Sequence, residues 1–238
     1  PETSVIETRH LEKTALDMVK EEDPESYQAA IDHGVEIIPL DNGNTYGAWW
    51  QPEDFDAEKD IILVTLHGHG GWAVKDFEVW YPELTQRQYA FFGVQWWLGR
   101  SLEDEGYYDI PEMYELIVNG LAAKGITSGN IVLEGFSMGS ARSYGVVLSD
   151  RIAKNNLFDI TIANAGQWED GYPLYADVLA EKYGKTPFAN TKWVLFCGEK
   201  DENEYSSYFV HVCDGMEHTK DVLTTLGGNV DLFIKDPN

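Results

Sequence analysis

From residue 35 onward the chain alternates between short runs of β-branched and aromatic residues and longer stretches of helical spacing. "VEIIPL" (35–40) and "TYGAWWQ" (45–51), joined by the turn "DNGN" (41–44), read as two strands. "DIILVTLHG" (60–68) is a continuous apolar run, the pattern of a strand buried on both faces. "YAFFGVQWW" (89–97), "NIVLEGF" (130–136), "FDITIANA" (158–165), "KWVLFCG" (192–198) and "NVDLFIK" (229–235) bring the strands to eight. Helical spacing falls at 75–87, 110–124, 138–149, 174–183 and 205–226, with Asp109 and Pro111 at one start and Gly125 at one stop. The first 34 residues also read as helical: Asp23-Pro24-Glu25 joins an N-cap acid, a first-turn proline and a second acid, and Gly34 ends the segment. Two early strands followed by alternating strands and helices predict an α/β class. The expected architecture is a mostly parallel eight-stranded sheet with helices on both faces, formed by one domain at 35–238. A helical extension at 1–34 precedes it, and a small cap at about 166–190 sits within it. Sites in such sheets gather at the carboxyl ends of the strands.

Composition narrows the partners. The 238 residues carry 41 acidic and 17 basic side chains, a net charge of -24, which repels nucleic acid and anionic lipid and excludes both as partners. No apolar run approaches the roughly 20 residues of a membrane helix. The chain opens on Pro1 with no signal peptide visible, so the reading expects a processed or trimmed form and slightly favours an extracellular setting over a cytoplasmic one. Cys197 and Cys213 form no CxxC or Cys/His cluster, so neither a metal nor a cofactor is expected. The cysteines read as two buried free thiols, although sequence does not settle whether they pair.

Three segments carry chemistry. Gly135-Phe136-Ser137-Met138-Gly139 joins a strand to a helix, the context in which a serine sits on a sharp turn with its hydroxyl exposed. Ser137 is the candidate nucleophile, and the Met138 amide is the first candidate oxyanion donor. The bland alternative is a serine N-cap between two packing glycines. "LHGHGG" (66–71) follows the most hydrophobic strand. The His69 amide is the expected second donor, with Gly70 in reserve. The side chains of His67 and His69 are expected to brace the turn rather than act as bases. "VLFCGEKDE" (194–202) ends a strand in glycine and then presents Asp201, the candidate acid of a triad. Glu199, Glu202, Glu169 and Asp170 compete with it, and a helix cap is the structural alternative for Asp201.

"LHGHGG", "GFSMG" and "GEKD", each after its own strand and in this order, resemble the α/β-hydrolase superfamily from about residue 35 to the end. Within it, "HGHGG" with a compact connection after the elbow resembles the polyhydroxybutyrate depolymerase, feruloyl esterase and acetyl-xylan esterase group. The resemblance implies the order Ser, acid, His, with histidine on the loop after the last strand. This chain departs there: "NVDLFIK" is followed only by Asp236, Pro237 and Asn238. His211 and His218 fall opposite the apolar stripe of the 205–226 segment, and His10 and His33 lie in the N-terminal helical region. A truncated C-terminus is the favoured expectation; a pseudo-hydrolase, or substitution by His67 or His69, are the others.

The aromatic residues supply candidate substrate contacts. Of eight tryptophans, Trp72, just past "LHGHGG", and Trp168, with Gln167 beside it, are the best placed to line a pocket, although large aromatics are more often core. The expected activity is that of a serine carboxylic-ester hydrolase working through an acyl-enzyme, on carbohydrate-linked feruloyl or acetyl esters or on polyesters. A peptidase on the same fold and a non-catalytic binding or structural module are the rivals.

Overall fold

The computed structural model describes residues 12–202 and 211–237. It contains seven α-helices and eight strands among these residues, in two compact units, Pro1–Ile131 and Val132–Asn238. No described helix is long and apolar enough to cross a membrane.

The first unit holds α1 (Ala15–Glu22), α2 (Pro24–Asp32), β1 (Glu36–Leu40), β2 (Thr45–Trp50), β3 (Ile61–Leu66), α3 (Ala73–Arg87), β4 (Ala90–Val94) and α4 (Ile110–Ala123). Its strand order is β1-β2-β4-β3, antiparallel across the first two pairs and parallel between β3 and β4. The adjacent Phe91 and Phe92 on β4 point to opposite faces, and both are fully buried. Phe77 of α3 meets the Phe91 ring at 5.5 Å, and Gly120 of α4 lies so close to the Phe92 ring that a Cβ there would overlap it. Helices therefore cover both faces of this unit, and each buried Phe contributes about 1.5–3 kcal/mol of transfer free energy. Asp23 caps α2 as its sequence predicts, and Asp109 closes a capping box with Glu112 on α4. The two N-terminal helices pack on this unit: the Ala15 amide donates to Asn44 O, and Ser26 meets Glu78 and Lys75 of α3.

β5 (Asn130–Phe136) leads into the second unit, followed by α5 (Met138–Ala153), β6 (Ile160–Asn164), α6 (Pro173–Leu179), β7 (Lys192–Gly198), α7 (Val212–Thr225) and β8 (Asn229–Asp236). Its strands run in parallel in the order β5-β6-β7-β8. Leu133, Ala163, Trp193 and Leu195 share one buried face. Tyr144 of α5 meets Trp193 at 5.5 Å on this face, and α7 is bonded to it through Cys213. Val194 and Phe196 on the other face are half-buried, and β8 leaves Leu232 at 50% and Ile234 at 39% exposure there.

The free-thiol expectation is corrected. Cys197 at the end of β7 and Cys213 in the first turn of α7 form a disulfide, with Cα atoms 5.3 Å apart. The spacing of 16 residues hid this, because only the return of α7 onto the exit of β7 brings the two together.

Candidate active site

Ser137 sits between β5 and α5 with φ 51° and ψ -117°, a region that L-residues with side chains seldom occupy. The turn is held from several sides. The Ser137 amide donates to Asn164 O at 2.8 Å, and its carbonyl accepts from the Ala141 amide at 3.0 Å. A Cβ at Gly135 would come within 2.6 Å of Gly139 O, and one at Gly166 would overlap Ser137 O. The Gly166 carbonyl accepts from Ser140 Oγ at 2.9 Å and from Tyr144 Oη at 2.6 Å, which ties the loop after β6 to the first turns of α5. Burial holds the Tyr144 phenol protonated, its pKa pushed well up. Ser137 stands at the N-cap position of α5, yet its side chain makes no cap hydrogen bond. Ser137 as a residue is half-buried, and its hydroxyl is not spent on capping the helix. Met138 begins the helix, and a first-turn amide has no acceptor within its own helix.

Asp201 follows β7. Its amide donates to Gly198 O at 3.2 Å, and its carbonyl accepts from the Val212 amide at 3.0 Å. Its carboxylate lies over Gly198, where a Cβ would approach Oδ2 to 2.5 Å. It does not cap α7: that position belongs to His211. Glu202 pairs through its backbone with His211, and the Glu199 amide donates to Asp236 O.

The second unit contains two of the candidate histidines. His211 precedes α7 instead of lying inside a helix from 205, since α7 is described only from Val212 and residues 203–210 lie outside the described residues. His218 Nε2 faces Asp170 Oδ1 at 3.5 Å. In the first unit, His33 stacks on Tyr81 at 4.1 Å, and His10 lies outside the described residues.

The loop after β3 belongs to the first unit. Gly71 N donates to Gly68 O at 3.0 Å, closing a turn in which Gly70 takes φ 63°, the left-handed conformation that favours glycine. His67 is buried and stacked on Trp96. Its Nδ1 faces Gly68 O at 2.8 Å, and its Nε2 receives the Trp96 amide at 3.4 Å. Both bonds are satisfied by a neutral ring protonated on Nδ1, and burial pulls its pKa down to about 4. His69 Nε2 donates to Leu102 O at 3.1 Å, and its ring stacks on Tyr107. Both imidazoles therefore brace this region. The reserve donor Gly70 gives its amide to Tyr107 Oη at 3.0 Å.

Two of the three expected substrate contacts are core residues. Trp168 is 1% exposed and stacks on Tyr175 at 4.1 Å within a cluster that includes Tyr144 and Phe188. Trp72 is buried against Trp97 and Gly99. Gln167 leans on α7 at Gly215, where a Cβ would overlap its Oε1. Phe136, the residue before the serine, is instead 50% exposed. Sequence reasoning passed over Phe136, and also Gly166, Ser140 and Tyr144, although the exposed Phe stands inside the quoted motif. No group of three or more His, Cys, Asp or Glu among the described residues is arranged to hold a metal.

No family model matches the chain, and no curated protein matches it in sequence. Solved structures match over nearly its whole length. A fungal esterase from Rhizomucor miehei is 16% identical over 96% of this chain and 83% of its own, with a TM-score of 0.63. An esterase from Pyrobaculum calidifontis is 15% identical over 95% and 85%, with a TM-score of 0.60. A poly(3-hydroxybutyrate) depolymerase from Bordetella parapertussis is 14% identical over 94% and 89%, with a TM-score of 0.59. The chain has the α/β-hydrolase fold.

Proposed function

We propose that this protein is a serine hydrolase of carboxylic esters. The observation that carries the reading is the backbone of Ser137: a non-glycine residue at φ 51° and ψ -117° between a strand and a helix, its hydroxyl not used as a cap. Strain of this kind costs of order 1–3 kcal/mol and persists where surrounding contacts impose it. A turn of this kind presents the hydroxyl clear of the strand, as attack on an acyl carbon requires. Ser137 Oγ bonds to that carbon as a base takes its proton, giving a tetrahedral oxyanion held by the Met138 amide. Collapse expels the alcohol and leaves an acyl-enzyme, which water then hydrolyses. Asp201 is the acid that orients the base. The base is an imidazole that takes the Ser137 Oγ proton and gives it to the departing alcohol.

The esterases and the depolymerase that share the fold support an ester as substrate. The exposed Phe136 beside the nucleophile favours an ester carrying an aromatic or otherwise bulky apolar group, in keeping with feruloyl or polyester substrates. The Cys197–Cys213 disulfide supports an extracellular setting, where such bonds persist.

The test is labelling with a fluorophosphonate probe together with hydrolysis of p-nitrophenyl and feruloyl esters. Wild type is expected to take one probe per chain and Ser137→Ala none, with hydrolysis falling at least about 1000-fold. A folded wild-type protein that neither reacts nor hydrolyses would show a non-catalytic module instead.

A further inference from the structure

Within the second unit, the Ser137 turn and the Asp201 loop stand at the same end of the sheet. Phe136, Asn164 and Phe196 form one rung across β5, β6 and β7. One residue further on, Ser137 N donates to Asn164 O and Ala165 N donates to Phe196 O. Cys197 therefore stands on β7 at the level where Ser137 leaves β5, two strands and so about 10 Å away. A serine and a carboxylate can reach across such a gap to one imidazole between them.

Asp201 is gripped beside both ends of the disulfide. Its amide donates to Gly198 O at 3.2 Å, and its carboxylate lies over Gly198, the neighbour of Cys197. Its carbonyl accepts at 3.0 Å from the amide of Val212, the neighbour of Cys213. His211 gives α7 no side-chain cap, so the Cys197–Cys213 bond is a covalent tie between the first turn of this helix and β7.

We infer that the Cys197–Cys213 bond is a positioning cross-link for Asp201: by holding Val212 at the exit of β7, it fixes the carboxylate at the end of the sheet where Ser137 stands. The cysteines touch no substrate and act through the backbone of Asp201. The inference rests on the esterase reading above, in which Asp201 orients the base. Removing such an acid costs about 10,000-fold in kcat. Loosening it is expected to cost less and to show in two ways. kcat falls while KM holds, because the imidazole gains its charge only on the way to the transition state. The acid limb of kcat/KM moves to lower pH, because an imidazole without a close carboxylate holds its proton less tightly. A cross-link that only stabilises the fold moves neither in a folded protein.

Cys213→Ser and Val212→Pro test this at a temperature where circular dichroism shows them folded. Val212→Pro keeps the disulfide and deletes the amide that bonds to Asp201. It places proline at the first helical position, after a residue already extended at φ -110° and ψ 142°. With p-nitrophenyl esters, both variants are expected to lower kcat about 10-fold, with KM within about 2-fold and the acid limb lower by about 0.5 pH unit or more. Amide exchange at Val212 in Cys213→Ser should be about 10-fold faster by NMR, a readout independent of activity. Glu199, Glu202, His211, Asp214 and Asp236 meet at the same junction. Each variant is therefore repeated in an Asp201→Asn background, read by the rate of fluorophosphonate labelling, where its effect should vanish. Effects that persist there would overturn the inference, as would an unchanged kcat and acid limb in the folded variants. If Cys213→Ser does not fold, Val212→Pro decides on the same readouts. A wild type that refuses the fluorophosphonate removes the esterase reading and this inference with it. A reactive wild type matched by equally reactive variants removes this inference alone.

Discussion

Ser137 holds its strained conformation because its neighbours leave no alternative, and Gly166 is the tightest of them. Gly166 does not need a left-handed backbone: it needs the absence of a Cβ, which would overlap the Ser137 carbonyl. Gly166→Ala should therefore destabilise the second unit by about 2 kcal/mol or more, since the atom it strikes is backbone and cannot swing away. Urea unfolding measures this, and probe labelling of Ser137 should fall further than the stability loss explains. The motif of Gly135, Ser137 and Gly139 was legible in sequence because its residues are adjacent, although the strain at Ser137 is imposed by the contacts around it. Gly166 was not, because its contact arises only after β6 has paired with β5. Trp168, a tryptophan after a strand end, is enclosed by the Tyr144, Tyr175 and Phe188 rings, an enclosure that its local sequence does not show.

Among the elements, the eight strands and four of the five later helices stand where periodicity put them, with ends shifted by a few residues, while the helix expected from 205 is described only from Val212. Such shifts follow from caps and neighbours rather than from the pattern itself. The clearest departures surround α7. His211 stands before it rather than within it, and Cys213 in its first turn bonds back to β7. That bond closes a 16-residue span that carries Asp201. A cross-link over a loop of this size stabilises by about 3 kcal/mol, chiefly by restricting the unfolded chain. Cys213→Ser is expected to lower the unfolding free energy by about that amount in urea titration. Reductant should do the same to wild type and nothing to the variant.

For the molecule as a whole, two groups set opposing responses to pH. Burial pushes the Asp76 carboxyl up to about 7, above the ordinary carboxylate value near 3.9 that it takes when unfolded. The native state then holds the proton more tightly, so this contribution to stability is full below about pH 4 and is lost as pH rises to about 7. His67 works the other way: with its pKa near 4 when folded and about 6.5 when unfolded, its contribution is lost as pH falls from about 6.5 to 4. Above pH 6.5 only the Asp76 effect remains. Asp76→Asn should leave stability near pH 4 unchanged and raise it by roughly 1–3 kcal/mol at pH 8. Thermal melts across that range check the sign, and a destabilised variant at pH 8 would refute it.

The sequence by itself determined the fold class, the position of the strands and most of the helices, the strand-to-helix junction at Ser137 and the glycine loop after β3. Each of these is written in residues adjacent along the chain, where periodicity, caps and glycine placement act directly. Tertiary structure alone decided the disulfide and the burial of Trp72 and Trp168. All of these depend on which distant segments share a few ångströms of space, and local chemistry does not encode that distance.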